Sequence, residues 1–236
     1  MATREDHMHP TTHRNGVVPT IRRWLVATGG AVAAVVTLLG PSAASAAPRP
    51  STPVGLPAPL MQAIRDDAAT GIDLIHVMRS APSRIVRAEL NSVRENLATR
   101  VARALGAPPS AMRAAWARSS TDHLLALFSG LTQLGVPYRS LRSDPGAGFD
   151  CSGLTSYAWG QAGVNLAHQS GSQIRNAADR DLFSARAGDL VYYPGHVMLY
   201  LGVDNYVLHA PYSGQVVSLD TTSWHGGRLR FGDPTG

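Results

Sequence analysis

Cys151 is the only cysteine among 236 residues, and that single count limits the fold more than any other feature. No disulfide can close a loop within the chain, so its stability has to come from a packed apolar core. The material is present: 44% of residues are hydrophobic and 16% charged, a balance that excludes a largely disordered chain. The apolar residues follow two successive patterns. From Leu60 to Leu134 they recur at helical spacing, and from Gly188 onward they come in short runs divided by turns. Helices first and an antiparallel meander after them give an α+β fold.

The net charge is +5, and every basic residue except histidine is an arginine. A basic balance suits a nucleic acid, an anionic membrane surface or an anionic wall polymer. Here Arg65, Arg84, Arg100, Arg118, Arg142, Arg175 and Arg228 are scattered, with no aromatic-interleaved stripe, which argues against nucleic acid.

Residues 1–46 have the layout of an export signal. Arg22-Arg23 precede an apolar stretch from Trp24 to Leu39, and Ala44-Ser45-Ala46 offers a small-x-small cleavage site. A stretch of about 16 residues is short of the roughly 20 that a stable span needs. The expectation is therefore a secreted chain, in the cell wall or periplasmic space, that starts near Ala47 and keeps no membrane span. An uncleaved anchor is the alternative, and the arginine pair also permits a twin-arginine route. A free thiol is a liability in an oxidising compartment, so its retention suggests chemistry; a buried inert cysteine is the other reading.

Beyond the signal, residues 47–59 hold five prolines and read as an extended linker. Residues 60–118 read as a helical segment with breaks at Ala81-Pro82-Ser83 and Gly106. It could be a hairpin docked on the rest of the chain or a cover over its site. A further domain over 119–236 opens with a helix from Ser120 to Leu134 and a loop, Arg139 to Gly148, that leads to Cys151. Helices then follow near 152–162 and 171–178, with strands at 189–193, 196–201, 206–209, 216–219 and 228–231.

A lone cysteine with histidines downstream is the pattern of a thiol nucleophile and its base. Cys151 falls at the expected start of a helix, where free N–H groups and the helix dipole favour an anion, so its thiolate is expected to be accessible near neutral pH. His196 opens a strand and shares a face with Met198 and Tyr200. His209 ends the next strand. Either histidine, taken alone, could equally be structural.

The ordered blocks Val136-Pro137-Tyr138, Asp150-Cys151-Ser152-Gly153-Leu154, Ala187-Gly188-Asp189-Leu190-Val191-Tyr192-Tyr193, Gly195-His196-Val197 and His209-Ala210-Pro211 resemble the NlpC/P60 family of cell-wall cysteine peptidases. The resemblance covers roughly Ser119 to Phe231. It implies a papain-like domain in which Cys151 is the nucleophile, His196 the general base and His209 the polar group that orients it. It further implies that Tyr138 helps the oxyanion site and that Asp150 and Ser152 hold the amine and backbone of a short peptide. Ser170 and Gln173 match a Ser-x-x-Gln block near the groove, and His168 takes the place of the family's usual arginine. Arg139-Ser140-Leu141 stands where the family has Trp-Gly-Gly.

The expected function is an exported endopeptidase acting on peptidoglycan stem peptides, at the bond between D-glutamate (through its γ-carboxyl) and the diamino acid. A non-catalytic peptidoglycan-binding or regulatory protein is one rival, and a thioester-forming amidase or acyltransferase is another. No metal and no cofactor is expected: His7, His9 and His13 lie upstream of the cleavage point, and His168, His196 and His209 with Cys151 fit a thiol site better than zinc. The sequence does not address the oligomeric state.

Overall fold

The computed structural model describes residues 55–223 and 228–236, so the expected export signal and residues 47–54 of the linker lie outside the described residues. Three helices come first: α1 (Ala58–Ser80), α2 (Arg84–Leu105) and α3 (Pro109–Arg118). Their ends follow local chemistry. Proline stands in the first turn of α1 and α3, where its missing N–H costs nothing. Ser83 caps α2 by accepting the Val86 N–H at 3.1 Å, and Gly106 closes it at φ 69°, a left-handed conformation that glycine adopts without strain.

The next elements carry the candidate site. These are α4 (Thr121–Leu131), the short pair β1 (Ser143–Asp144) and β2 (Gly148–Phe149), α5 (Cys151–Gln161) and α6 (Ser170–Asn176). A sheet of six strands follows: β3 (Ala178–Arg180), β4 (Leu190–Tyr193), β5 (His196–Tyr200), β6 (Tyr206–His209), β7 (Ser218–Thr221) and β8 (Arg230–Asp233). It is antiparallel throughout, in the order β3-β8-β4-β5-β6-β7. The expected meander is β4 to β7. Two features extend it: β3 was not expected as a strand, and β8 returns to lie between β3 and β4.

The last two strands begin two residues later than their apolar spacing suggests. Val216-Val217 reads as a strand start, yet Val216 is 40% exposed and forms only an isolated bridge to Pro137. The ladder with β6 starts at Ser218, which brings Asp220 into the strand.

One apolar core runs from Ile64 in α1 to Leu219 in β7. The helical segment is thus packed into the same core as the sheet. Gly71 in α1 meets the Phe128 ring of α4 so closely that a Cβ there would lie 2.8 Å from it. Trp116 of α3 is fully buried and donates its indole N–H to the Leu201 carbonyl at 2.9 Å. Ser119 Oγ donates to the Ala187 carbonyl at 3.1 Å. Packing thus ties the helices to α4, and hydrogen bonds tie them to one end of the sheet. A smaller cluster of Val191, Met198, Tyr200, Val207 and Phe231 covers the sheet's other face. Among the described residues no helix is long and apolar enough to cross a membrane.

Candidate active site

Cys151 is the first residue of α5, and Asp150 is its cap, accepting the Gly153 N–H at 2.7 Å. The helix packs along β5, which sets the half-buried thiol against the start of that strand. The main-chain amide of Val197, the residue after His196, hydrogen-bonds to the sulfur, as do the amides of Cys151 and Ser152. These bonds favour the thiolate. Burial opposes them more strongly, and the nearby Asp150 carboxylate adds to the opposition, so the thiol's pKa is raised. The helix start does not lower it as expected, because desolvation outweighs the amides.

His196 is buried at the start of β5, and its Nε2 lies 3.0 Å from Nδ1 of His209 at the end of β6. Burial first, and then the neighbouring His209, push the His196 pKa down to about 3. Burial thus favours the uncharged form of both the thiol and the imidazole. The Tyr193 ring lies against His196, centroids 5.2 Å apart and tilted by 35°. Its pKa is pushed up to about 12 by burial and then by Cys151, which places its hydroxyl in the same site. Tyr138 reaches the site from the loop after α4; burial, then Cys151, then Asp150 raise its pKa.

Asp150 is buried and collects several donors. Its Oδ1 takes Gly153 N–H, Ser152 Oγ–H at 3.1 Å and His168 Nε2 at 2.8 Å, and its Oδ2 takes the Leu141 N–H at 2.8 Å. Leu141 is held at φ 57°, a left-handed conformation costly for leucine, at a place where the family has glycine. Gly153 is required by the fold itself. A Cβ there would lie 2.0 Å from the Arg142 carbonyl oxygen, so the chain's own loop, rather than substrate, needs the space.

The structure brings Cys151, His196 and His209 together, with Tyr138, Asp150, Ser152 and His168 beside them. Ser170 begins α6 and is buried. Gln173 is occupied within the fold: its amide donates to the Ser152 carbonyl at 2.9 Å and the Ala167 carbonyl at 2.8 Å, and its oxygen accepts from Thr155 at 2.6 Å. It joins α6 to α5. Two neighbours are not among the expected site residues. Tyr193 sits in a block read as strand, and Asp220 lies 3.5 Å from His209 Nε2, beyond the expected end of its strand.

Another cluster has metal-ligand composition. His123, Asp189 and Asp233 place ligand atoms within 4.8 Å of one another, all buried. Those atoms already pair with protein groups: His123 Nε2 with Asp189 at 2.9 Å, His123 Nδ1 with Ser120 Oγ at 2.7 Å, and Asp233 with Arg180 at 2.7 Å. The set is a closed hydrogen-bonded latch.

The NlpC/P60 family pattern matches residues 135–228. A stretch of 106 residues is 37% identical to peptidoglycan endopeptidase RipA of Mycolicibacterium smegmatis, covering 38% of this chain and 21% of RipA. The chain thus spans about a fifth of that relative's length. Among solved structures, RipD of Mycobacterium tuberculosis, a non-catalytic NlpC/p60 domain protein adapted to peptidoglycan binding, is 28% identical with a TM-score of 0.40, over 48% of this chain and 98% of that one. A probable endopeptidase of Corynebacterium glutamicum is 32% identical over 206 residues, which is 84% of this chain and 93% of that protein. With that likeness along nearly the whole of a relative, the chain belongs to the NlpC/P60 family.

Proposed function

We propose that the protein is an exported cysteine endopeptidase that hydrolyses peptidoglycan stem peptides at the amide joining the γ-carboxyl of D-glutamate to the diamino acid. The observation that supports this most is the line of groups at the start of β5: a half-exposed thiol against the Val197 amide, His196 beside it, and His209 at 3.0 Å behind. The relatives named as endopeptidases support it independently.

In this mechanism the Cys151 S–H bond breaks as the sulfur attacks the scissile carbonyl carbon, and His196 takes the proton. The carbonyl oxygen becomes an oxyanion, met by main-chain N–H groups at the start of α5 and by the Tyr138 hydroxyl. On collapse the C–N bond breaks, His196 gives its proton to the leaving amine, and a thioester remains. Water then attacks the thioester, His196 takes one proton from it, the C–S bond breaks, and His196 returns that proton to the sulfur, which frees the acid and restores the thiol. Asp150, Ser152 and Ser170 hold the peptide's amine end and backbone. His168, hydrogen-bonded to Asp150, sets which neighbouring group they accept.

The test is mass spectrometry of stem peptides incubated with the protein and with a Cys151→Ala variant. Fragments ending in D-glutamate, absent with the variant, are expected. Release of the sugar-linked lactyl group would indicate an amidase, and a transferred acyl group an acyltransferase. Binding of intact wall by both proteins without fragments would make it a non-catalytic binder.

A further inference from the structure

The value of His209 depends on which of its nitrogens carries the proton. His196 Nε2 and His209 Nδ1 share one proton across 3.0 Å. If it sits on His196 Nε2, the other nitrogen of His196, Nδ1, keeps a lone pair that can accept the thiol proton. If it sits on His209 Nδ1, a neutral His196 must carry its own proton on Nδ1 and has nothing to offer the thiol. The direction of this hydrogen bond decides whether the histidine can act as a base.

What lies behind His209 bears on that direction. Asp220 Oδ2 is 3.5 Å from His209 Nε2, and only 3% and 2% of the two side chains is exposed. The other carboxylate oxygen accepts the Thr221 N–H at 2.7 Å, which fixes its orientation. In the β6–β7 ladder His209 stands opposite Ser218 and Val207 opposite Asp220, so His209 and Asp220 are diagonal neighbours on one face. At 3.5 Å the contact is wider than a full hydrogen bond, and its hold is mainly electrostatic. A carboxylate attracts an N–H turned toward it and repels a lone pair, and so little exposed a site screens neither effect strongly.

We propose that Asp220 is a positioning residue that sets the proton order of the whole relay. Drawing the His209 proton to Nε2 leaves His209 Nδ1 as an acceptor, makes His196 Nε2 the donor, and leaves His196 Nδ1 for the Cys151 thiol. The inference rests on the reading of Cys151 and His196 as nucleophile and base. When the thiol proton moves to His196 Nδ1, an S–H bond is exchanged for an N–H bond and the imidazole becomes a cation. The Asp220 carboxylate, at the far end of the relay, stabilises that cation through His209. A cysteine–histidine–histidine site thereby gains a carboxylate that the third residue alone does not supply.

Two readouts on the full chain test this, and neither uses peptidoglycan. Nitrogen-15 NMR of histidine-labelled protein, assigned by the signals lost in His209→Gln, is expected to show both His196 and His209 as Nε2–H tautomers. His209 as the Nδ1–H tautomer in the unsubstituted protein would overturn the proposal, whether or not any Asp220 variant folds. Alkylation of Cys151 by iodoacetamide at neutral pH is expected to slow by about 10- to 100-fold in the isosteric Asp220→Asn, with thermal unfolding unchanged. Asp220→Glu is expected to recover part of the rate. Equal rates in the unsubstituted protein and a folded Asp220→Asn would also overturn it. The expected tautomers and slowed alkylation, found together with uncut stem peptides, would sink the endopeptidase reading and leave the proton order standing.

Discussion

Two buried histidine–aspartate clusters occupy opposite ends of the β4–β5 hairpin, and they differ in what each leaves unfinished. Near the start of β4, His123 has both ring nitrogens bonded, to Ser120 and Asp189, while Asp189 also takes the Arg186 N–H and Asp233 takes Arg180. That cluster closes on itself and joins α4, β4 and β8. Near the start of β5, a chain of contacts runs from Asp220 through His209 to His196, and a half-exposed cysteine lies against the amide of the next residue, Val197. The residue types are nearly the same. The closed cluster stabilises the fold; the open one ends in a group that can act on something else.

Exchanging the losses between the two clusters is the sharpest way to break this contrast. Cys151→Ala is expected to reduce peptide cleavage by about 10⁴-fold or more while leaving thermal unfolding in place, read by mass spectrometry and calorimetry on the same samples. Asp189→Ala should do the reverse. Removing one member of a buried pair costs about 3–5 kcal/mol, seen as a lower midpoint in urea, while activity per folded molecule is retained. A loss of turnover in Asp189→Ala as deep as in Cys151→Ala would collapse the distinction.

Within the open cluster, His209→Ala is expected to lower kcat by about 10- to 100-fold with little change in KM, since it acts through His196 rather than on substrate. The smallest effect concerns pH. His196 has its pKa lowered to about 3 in the fold against an ordinary 6.5, so the unfolded chain takes up the proton first. The stability this group contributes is present above about pH 6.5 and is lost as pH falls toward 3. Urea midpoints across that window should fall in the parent protein and fall less steeply in His196→Asn; parallel curves would show that the acid sensitivity lies elsewhere.

The open cluster was far more legible in the sequence than the closed one. Cys151, His196 and His209 sit in short blocks whose neighbours (the cap Asp150, the turn Pro194-Gly195) announce them. His123, Asp189 and Asp233 come from three distant elements, and no local spacing can show that they meet. Asp220 was hidden by a register: apolar Val216-Val217 suggested a strand ending at Leu219, while the ladder actually runs from Ser218 to Thr221. The thiol's environment was misjudged for another reason. A helix start is visible in sequence, but the depth at which tertiary packing buries it is not. The motif of Gln173 points toward the groove, although internal hydrogen bonds account for the residue.

The core shared by the first three helices and the sheet bears on how such a protein can be cut and recombined. Trimming by a protease anywhere up to Gly55 would leave every described helix and strand whole. Loss of everything before Ser119 would strip Trp116 from the Leu201 carbonyl and bare Phe128 on α4. The piece that could be inherited or transplanted as a working block is therefore larger than the stretch that carries the catalytic motifs, because the motifs sit on a floor that α1 to α3 complete.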